Sequence, residues 1–344
     1  MTQEYTERSV TADSEEPPGG SRVRSLLDRL RRSRGIWRRG IVLALFAVLF
    51  GLLMLLHASI PNTIGNLGSL VETFLPWFGV VIPLILILGL VRRSATALIA
   101  LLLPAAVWVN SFGGLLTDKT DDSKGAGDLT VATHNVNADN PDPTRTAREI
   151  AASGVDVVAL QELPNGAVPT YEKALAGTYR YHSVQGTVGL WSKYPLSGTE
   201  PVDIRLGWVR AMRSTVTTPE GPVAVYVAHL PSVRVKLHAG FTANQRDKSA
   251  DALGEAIGHE RLRRVVLLGD LNGTMNDRSL TAITAQMRST QGAAGHGHGF
   301  SWPASFPMAR IDQIMVKGIE PKSSWTLPET DSDHLPIAAR VELG

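Results

Sequence analysis

The sequence predicts an α/β protein in two parts: an N-terminal anchor of three transmembrane helices, then a domain of short strands interleaved with a few helices. Three observations carry this expectation. Three long apolar runs fall between residues 41 and 114 of the 344. From residue 128 the pattern changes to short apolar runs bounded by Gly, Pro, Asn and Asp, which read as strands. Those runs then end, one after another, in Asn, Asp, Glu or His.

Residues 1–40 form a polar tail. "MTQEYTERSVTADSEEPPGG" is acidic and almost free of large apolar residues, so it reads as disordered. Residues 22–39 then carry eight arginines against one acid, Asp28. The three spans of 41–114 follow. "IVLALFAVLFGLLMLLHASI" (41–60) is long enough to cross a bilayer. "FLPWFGVVIPLILILGLV" (74–91) contains Pro76 and Pro83, which membrane helices tolerate. "ATALIALLLPAAVWV" (95–109) is short but extends to Gly114. The loop 61–73 has no Lys or Arg, whereas Arg92 and Arg93 separate the second and third spans. Positive charge marks the cytoplasmic side, so the N-terminus is expected inside and everything after residue 115 outside the cell membrane. His57, near the outer end of the first span, reads as a solvated interfacial group.

Residues 115–127 are a Gly/Asp/Lys linker, and 128–344 the second domain. The runs "LTVATHNV", "VDVVAL", "TVGLWS", "MRSTVTT", "VAVYVAHL", "RVVLLGD", "RIDQIMV" and "IAARVEL" are expected strands. "DPTRTAREIAASG" and "ANQRDKSADALGEAIGHE" have helical spacing. Cysteine is absent, which excludes a disulfide framework and thiol chemistry. Residues 128–344 hold 21 basic and 22 acidic residues, so no broad positive field draws in nucleic acid.

The chemistry lies in the polar residues at the strand ends. They are Asn135 and Asn137 in "THNVN", Glu162 after "VDVVALQ", His229 after "VAVYVA", Asp270 and Asn272 in "GDLN", Asp312 in "RIDQI", and Asp333 and His334 in "SDHLPI". A carboxylate straight after an apolar strand must be paired, coordinated or wet. One such residue is ordinary turn punctuation; this many suggest one shared site. Hard oxygen donors without cysteine point to Mg²⁺ or Mn²⁺ rather than structural zinc.

"THNVN", "DVVALQE", "VAHL", "LLGDLNG", "RIDQI" and "SDHLPI", in that order, resemble the endonuclease/exonuclease/phosphatase superfamily of DNase I-like nucleases, inositol phosphatases and sphingomyelinases. Each motif alone is unspecific; six in sequence across 128–344 are specific. The resemblance implies a four-layer αββα sandwich with two mixed β-sheets. It also implies roles. Glu162 resembles the principal metal ligand, with Asn135 and Asp333 helping to hold the ion. Asp270 would deprotonate the attacking water and Asn272 would donate to a phosphate oxygen. His334, oriented by Asp312, would donate to the phosphoryl group, and His229 would bind phosphate or protonate the leaving oxygen. Asn137, Arg246 and Trp302 are candidate substrate contacts. Gln313 stands where many relatives carry His. His296 and His298 are read as part of a flexible aromatic rim, "GHGHGFSWPASF" (295–306), in preference to a second metal site. His134, His182, His238 and His259 are read as structural or solvated.

The anchor joined to such a domain further resembles the VanJ type of membrane protein, associated with resistance to teicoplanin-like antibiotics. That likeness implies a lipid-linked undecaprenyl phosphate or pyrophosphate as substrate and the bilayer as partner. An extracellular nuclease, a sphingomyelinase-like phosphodiesterase and a non-catalytic binding module remain open alternatives.

Overall fold

The computed structural model describes residues 39–62, 65–121, 127–236 and 240–344. The arginine-rich tail, residues 122–126 of the linker and His238 lie outside them. The described residues form two compact units, one of 39–51 with Val80–Ala105, the other drawn from Leu52–Gly79 with Ala106–Gly344.

In the first unit, Ala47, Ile85 and Leu101 form a small apolar core, and Ser94 caps the helix Ala95–Ala100 by accepting from Ala97 N–H at 3.2 Å. Two helical runs, Leu67–Val91 (25 residues) and Ala95–Leu115 (21 residues), are long and apolar enough to cross a membrane. The expected first span is shorter among the described residues. Ile41–Leu55 has 15 residues, about 22 Å at about 1.5 Å per residue, against a hydrocarbon core of about 30 Å. The expected loop 61–73 also needs correction, because helix begins at Leu67.

The second unit holds two six-stranded sheets. The first runs, edge to edge, Glu320–Thr326, Ile337–Glu342, Leu129–Asn135, Val157–Gln161, Val188–Ser192 and Tyr181–Gln185. The second runs Arg288–Ser289, Asp312–Lys317, Val265–Asp270, Gly221–His229, Ala211–Thr218 and Leu196–Pro201. Each sheet is mixed, with one parallel pair at its centre: Leu129–Asn135 beside Val157–Gln161, and Gly221–His229 beside Val265–Asp270. A separate two-stranded ribbon pairs Arg234–Lys236 with Gly240–Thr242.

Strand periodicity explains the layers. Side chains alternate between faces, and Leu129, Val131, Val157, Ala159, Val225, Val227, Val266, Leu268, Ile314 and Val316 share one core between the sheets. The intervening Val158 and Leu160 pack instead with Ile150 of the helix Pro143–Ala152 and Tyr171 and Leu175 of the helix Val168–Leu175. Val265 and Leu267 pack with Leu253 and Ile257 of the helix Asn244–Gly258. The result is the expected order of helices, sheet, sheet, helices. All eight expected strands are present.

The residues before the linker pack on this sandwich. Glu72 is fully buried and receives Arg278 Nε at 2.8 Å and Arg278 N–H at 3.2 Å. Arg278 also donates to the carbonyls of Ile60 and His57 at 2.7 and 2.9 Å. His57 Nδ1 is buried 3.5 Å from the same carboxylate without a hydrogen bond to it, so the ring is not simply solvated. Breaking one half of a buried ion pair strands the other charge. Arg278→Ala should therefore destabilise the full-length protein by about 3 kcal/mol. Arg278→Ala with Glu72→Gln should recover most of that, read by thermal unfolding in detergent. Equal losses in the single and double variants would show that the pair does not clamp the helix to the sandwich.

Candidate active site

The inter-sheet faces that are apolar through the core turn polar at one end. Asn135 continues the inward series Leu129, Val131; His229 continues Val223, Val225, Val227; Asp270 continues Val266, Leu268; Asp312 precedes Ile314, Val316. The register makes these ends level, pairing Asp270 with both His229 and Asp312, and Asn135 with Gln161. Alternation alone would send Glu162 to the helix side with Val158 and Leu160. Its φ of 58° breaks the alternation and brings Glu162 Oε1 to 3.4 Å from His229 Nε2. Asn137 and Asn272 also have positive φ, 62° and 46°, a conformation that Asn adopts more readily than most residues.

Asp270 is the hub. It is buried, and its Oδ2 accepts from Asn135 Nδ2 at 3.0 Å and Asn272 Nδ2 at 3.1 Å, while Oδ1 accepts from Asn272 N–H at 2.9 Å. His229 Nε2 stands 3.7 Å and His334 Nε2 4.0 Å from the same Oδ2. Burial first, then the charge of Asp312, pushes the Asp270 carboxyl up to about 7. His334 Nδ1 donates to Asp312 Oδ2 at 2.8 Å, and Ser301 Oγ–H donates to the same oxygen at 2.6 Å. Burial opposes protonation of His334, but the neighbouring Asp312 and Asp270 carboxylates outweigh it and push the imidazole up to about 10. Burial likewise opposes ionisation of Asp312, yet His334 holds that carboxyl below its usual range. His229 is different. Burial, and then the guanidinium of Arg210 lying against its ring nitrogens, hold it neutral.

The sequence-derived site residues fall into two groups. Asn135, Glu162, His229, Asp270, Asn272, Asp312 and His334 meet at this edge. Asp333 is exposed on the adjoining loop, and its charge adds to the proton affinity of His334. Asn137 donates its N–H to Asn135 Oδ1, and its own Oδ1 accepts from Asp139 N–H, so its side-chain amide NH₂ is what remains for a substrate. Trp302 is partly exposed beside Ser301, and its backbone pairs with Ala309. Arg246, expected as a substrate contact, is buried inside the fold instead of open to a substrate. It is 1% exposed and holds the turn after Asp270, donating to Asn272 O at 2.7 Å and pairing with Asp277 at 2.7 Å. Gln313 is buried and donates to Arg310 O at 2.8 Å and Gly273 O at 3.3 Å. In the rim, Phe300 stacks on Trp77 at 5.9 Å and His298 lies 4.9 Å from Phe300, while Phe306 is exposed. His134 is buried, shares a hydrogen bond with Thr330 Oγ at 2.9 Å, and is pushed by burial down to about 3.

Sequence reading missed Arg210, Ser301 and Ser332. Ser332 Oγ–H donates to Asn135 O at 2.7 Å and accepts from His334 N–H at 3.1 Å, fixing the His334 loop to the first strand. Arg210 was findable, because it precedes the strand Ala211–Thr218 at the same sheet edge. Ser301 and Ser332 sit in loops with nothing local to mark them.

The residues fit a hard divalent cation. Asp270 is a buried carboxylate beside a second one, and Asp312 Oδ1 is buried without a hydrogen-bond partner. Ligand atoms of Asp270, Asp312 and His334 lie within 4.8 Å of one another. His334 and Asp312 are spent on each other, however, and a protonated imidazole cannot ligate. The oxygens of Glu162 and Asn135 beside Asp270 are the better donors.

Residues 132–334 match the model of the Endonuclease/Exonuclease/phosphatase family. No curated protein matches the chain. Among solved structures, the endonuclease/exonuclease/phosphatase of Bacteroides vulgatus is similar at 20% identity and a TM-score of 0.52, covering 63% of this chain and 99% of that one. The endonuclease/exonuclease/phosphatase of Beutenbergia cavernae is 20% identical with a TM-score of 0.51, covering 63% and 72%. D. rerio TDP2, complexed with a single-strand DNA product, is 19% identical with a TM-score of 0.51, covering 62% and 98%. At these identities the likeness is one of fold.

Proposed function

This chain belongs to the Endonuclease/Exonuclease/phosphatase family, and from that premise we propose that it is a membrane-anchored, metal-dependent phosphohydrolase whose substrate is a lipid-linked phosphate or pyrophosphate outside the cytoplasm. The hydrolase reading rests on the convergence of Glu162, Asp270 and the Asp312–His334 pair at one sheet edge. Glu162 and Asn135, beside Asp270, would hold a divalent cation such as Mg²⁺ or Mn²⁺, which when bound would neutralise phosphoryl and leaving-group charge; Asp333, exposed on the adjoining loop, adds negative charge nearby. Asp270 orients a water molecule and accepts its proton. Asn272 and the imidazolium of His334 donate to phosphoryl oxygens, and Asp312 holds that imidazolium in place. His229, neutral and braced by Arg210, serves as a hydrogen-bond donor and not as a cationic acid.

The observation that carries the lipid reading is the seating of the rim against the apolar segments. Trp77 stacks on Phe300 and donates to Met308 O at 2.8 Å, and Phe112 lies 6.5 Å from His298. The loop leading into Asp312 is thus built on residues of the two apolar helical runs. The cell-wall prenyl carrier and the link to glycopeptide resistance rest on the VanJ-type resemblance.

Two measurements test this. A reporter fused after Gly344 should be active only outside the cytoplasm; cytoplasmic activity overturns the topology. Full-length protein in liposomes should release phosphate from undecaprenyl pyrophosphate much faster than it cuts duplex DNA or cleaves sphingomyelin. Rapid DNA cleavage without phosphate release would make the protein a nuclease, and binding without any turnover would make it a binding module.

A further inference from the structure

Behind the catalytic edge lies a cavity of about 290 Å³. Pro76, Phe112 and Leu115 of the apolar segments form one wall, and Met275 and Phe300 of the sandwich loops form the other. None of the residues gathered around Asp270 lines it, and neither does any described Asp or Glu. Its polar lining is unfinished. Arg310 is 6% exposed and donates from Nη1 to Gly299 O at 2.7 Å, while its Nε and Nη2 have no acceptor. His298 Nε2 and Gln313 Oε1 are also buried without partners.

Buried polar atoms almost always find a partner. Water would satisfy the imidazole and the amide. A guanidinium needs more, because a buried charge without a counter-charge is costly. The carboxylate whose charge reaches Arg310 is Asp312, and its Oδ2 already serves His334 and Ser301. Lys119 adds a second positive charge to the lining, its ammonium donating to Gly292 O at 2.8 Å. The cavity therefore offers two cations, a planar fork suited to phosphate oxygens, and apolar walls that continue into the helical runs Leu67–Val91 and Ala95–Leu115.

We propose that this cavity is a binding site, separate from the catalytic centre, for the phosphate of an anionic lipid. The phosphate is held by Arg310, and the hydrocarbon lies along Pro76, Phe112 and Leu115. The inference rests on the membrane placement proposed above but not on the identity of the hydrolysed substrate. It is read by lipid retention and not by turnover, so its failure and that of the hydrolase reading are distinguishable.

The test uses full-length protein in detergent micelles, titrated with dioleoyl phosphatidate, dioleoyl phosphatidylcholine and inorganic phosphate and read by native mass spectrometry. Phosphatidate should be retained in preference to phosphatidylcholine and should resist displacement by inorganic phosphate. Arg310→Gln should lower phosphatidate affinity by about tenfold or more, the worth of a charge-assisted hydrogen bond. Ser111→Trp, an exposed position on the lining, should narrow the cavity and do the same while leaving hydrolysis of a small soluble phosphoester unchanged. Equal retention of both lipids, or unchanged phosphatidate affinity in Ser111→Trp and Arg310→Gln, overturns the proposal. Displacement by inorganic phosphate at matching affinity would show a site for the free anion and overturn the lipid assignment.

Discussion

Asp270→Asn should lower kcat on the order of 10³-fold, the loss expected when a positioned general base is removed, and should cost the metal-free protein less melting temperature at pH 8 than at pH 5.5. The reason is electrostatic. Asp270 is a buried carboxylate beside a second one, and the fold tolerates its charge poorly. In the metal-free protein its ionised form is lost as pH falls through about 7, and a cation bound beside it should hold the acid limb of the rate profile below that pH. Stability moves the other way. The folded pKa is raised above the ordinary carboxylate value of 3.8, so protonation favours the fold, and this contribution is lost as pH rises from about 4 through about 7. His334 adds to the same trend: its contribution is present in full below 6.5 and lost as pH rises through about 10. Added Mg²⁺ or Mn²⁺ should therefore raise the melting temperature more at pH 8 than at pH 5.5. Thermal unfolding with and without chelator checks this, and an equal metal effect at both pH values would contradict the placement of the ion beside Asp270.

Asp312→Asn and His334→Ala should each cost about 10²- to 10⁴-fold in kcat, and the double variant should cost little more than the worse single. Asp312 bonds to His334 Nδ1 at 2.8 Å, and its remaining reach into the site is the charge it adds beside Asp270. Once the imidazole is gone, the carboxylate has nothing left to hold. Asp312→Asn should also move the alkaline limb to lower pH, because the charge that keeps His334 protonated is removed. A merely structural Asp312 would reduce activity without moving that limb, and strict additivity in the double variant would separate the two residues.

Much of the sandwich was legible in the chain because its central strands are apolar on one or both faces. The strands that sequence reading did not find are Tyr181–Gln185, Leu196–Pro201, Glu320–Thr326 and Arg288–Ser289, which are the four sheet edges, and the small ribbon. An edge strand has one paired neighbour and one open side, so runs such as "LSGTEP" and "EPKSSWT" carry no apolar periodicity to read. The acidic and histidine members of the site were legible for a related reason: an ionisable group closing an apolar strand has little else to do. Arg246 misled because helix position says nothing about whether a long side chain bends back under a neighbouring turn. The helical start at Leu67 was hidden by Glu72, whose charge looks like a loop residue until Arg278, far along the chain, is seen to neutralise it.

Glu162 has an implication for how this protein would respond to selection. A glutamate at φ 58° occupies backbone space that glycine enters freely, at a cost of about 1–2 kcal/mol. A library screened only for heat resistance should therefore enrich Glu162→Gly, and the survivors would be sturdier and catalytically silent. Thermal tolerance and the proposed turnover compete at this one position, so a stabilisation campaign on this protein would have to hold residue 162 fixed and look for its gains elsewhere.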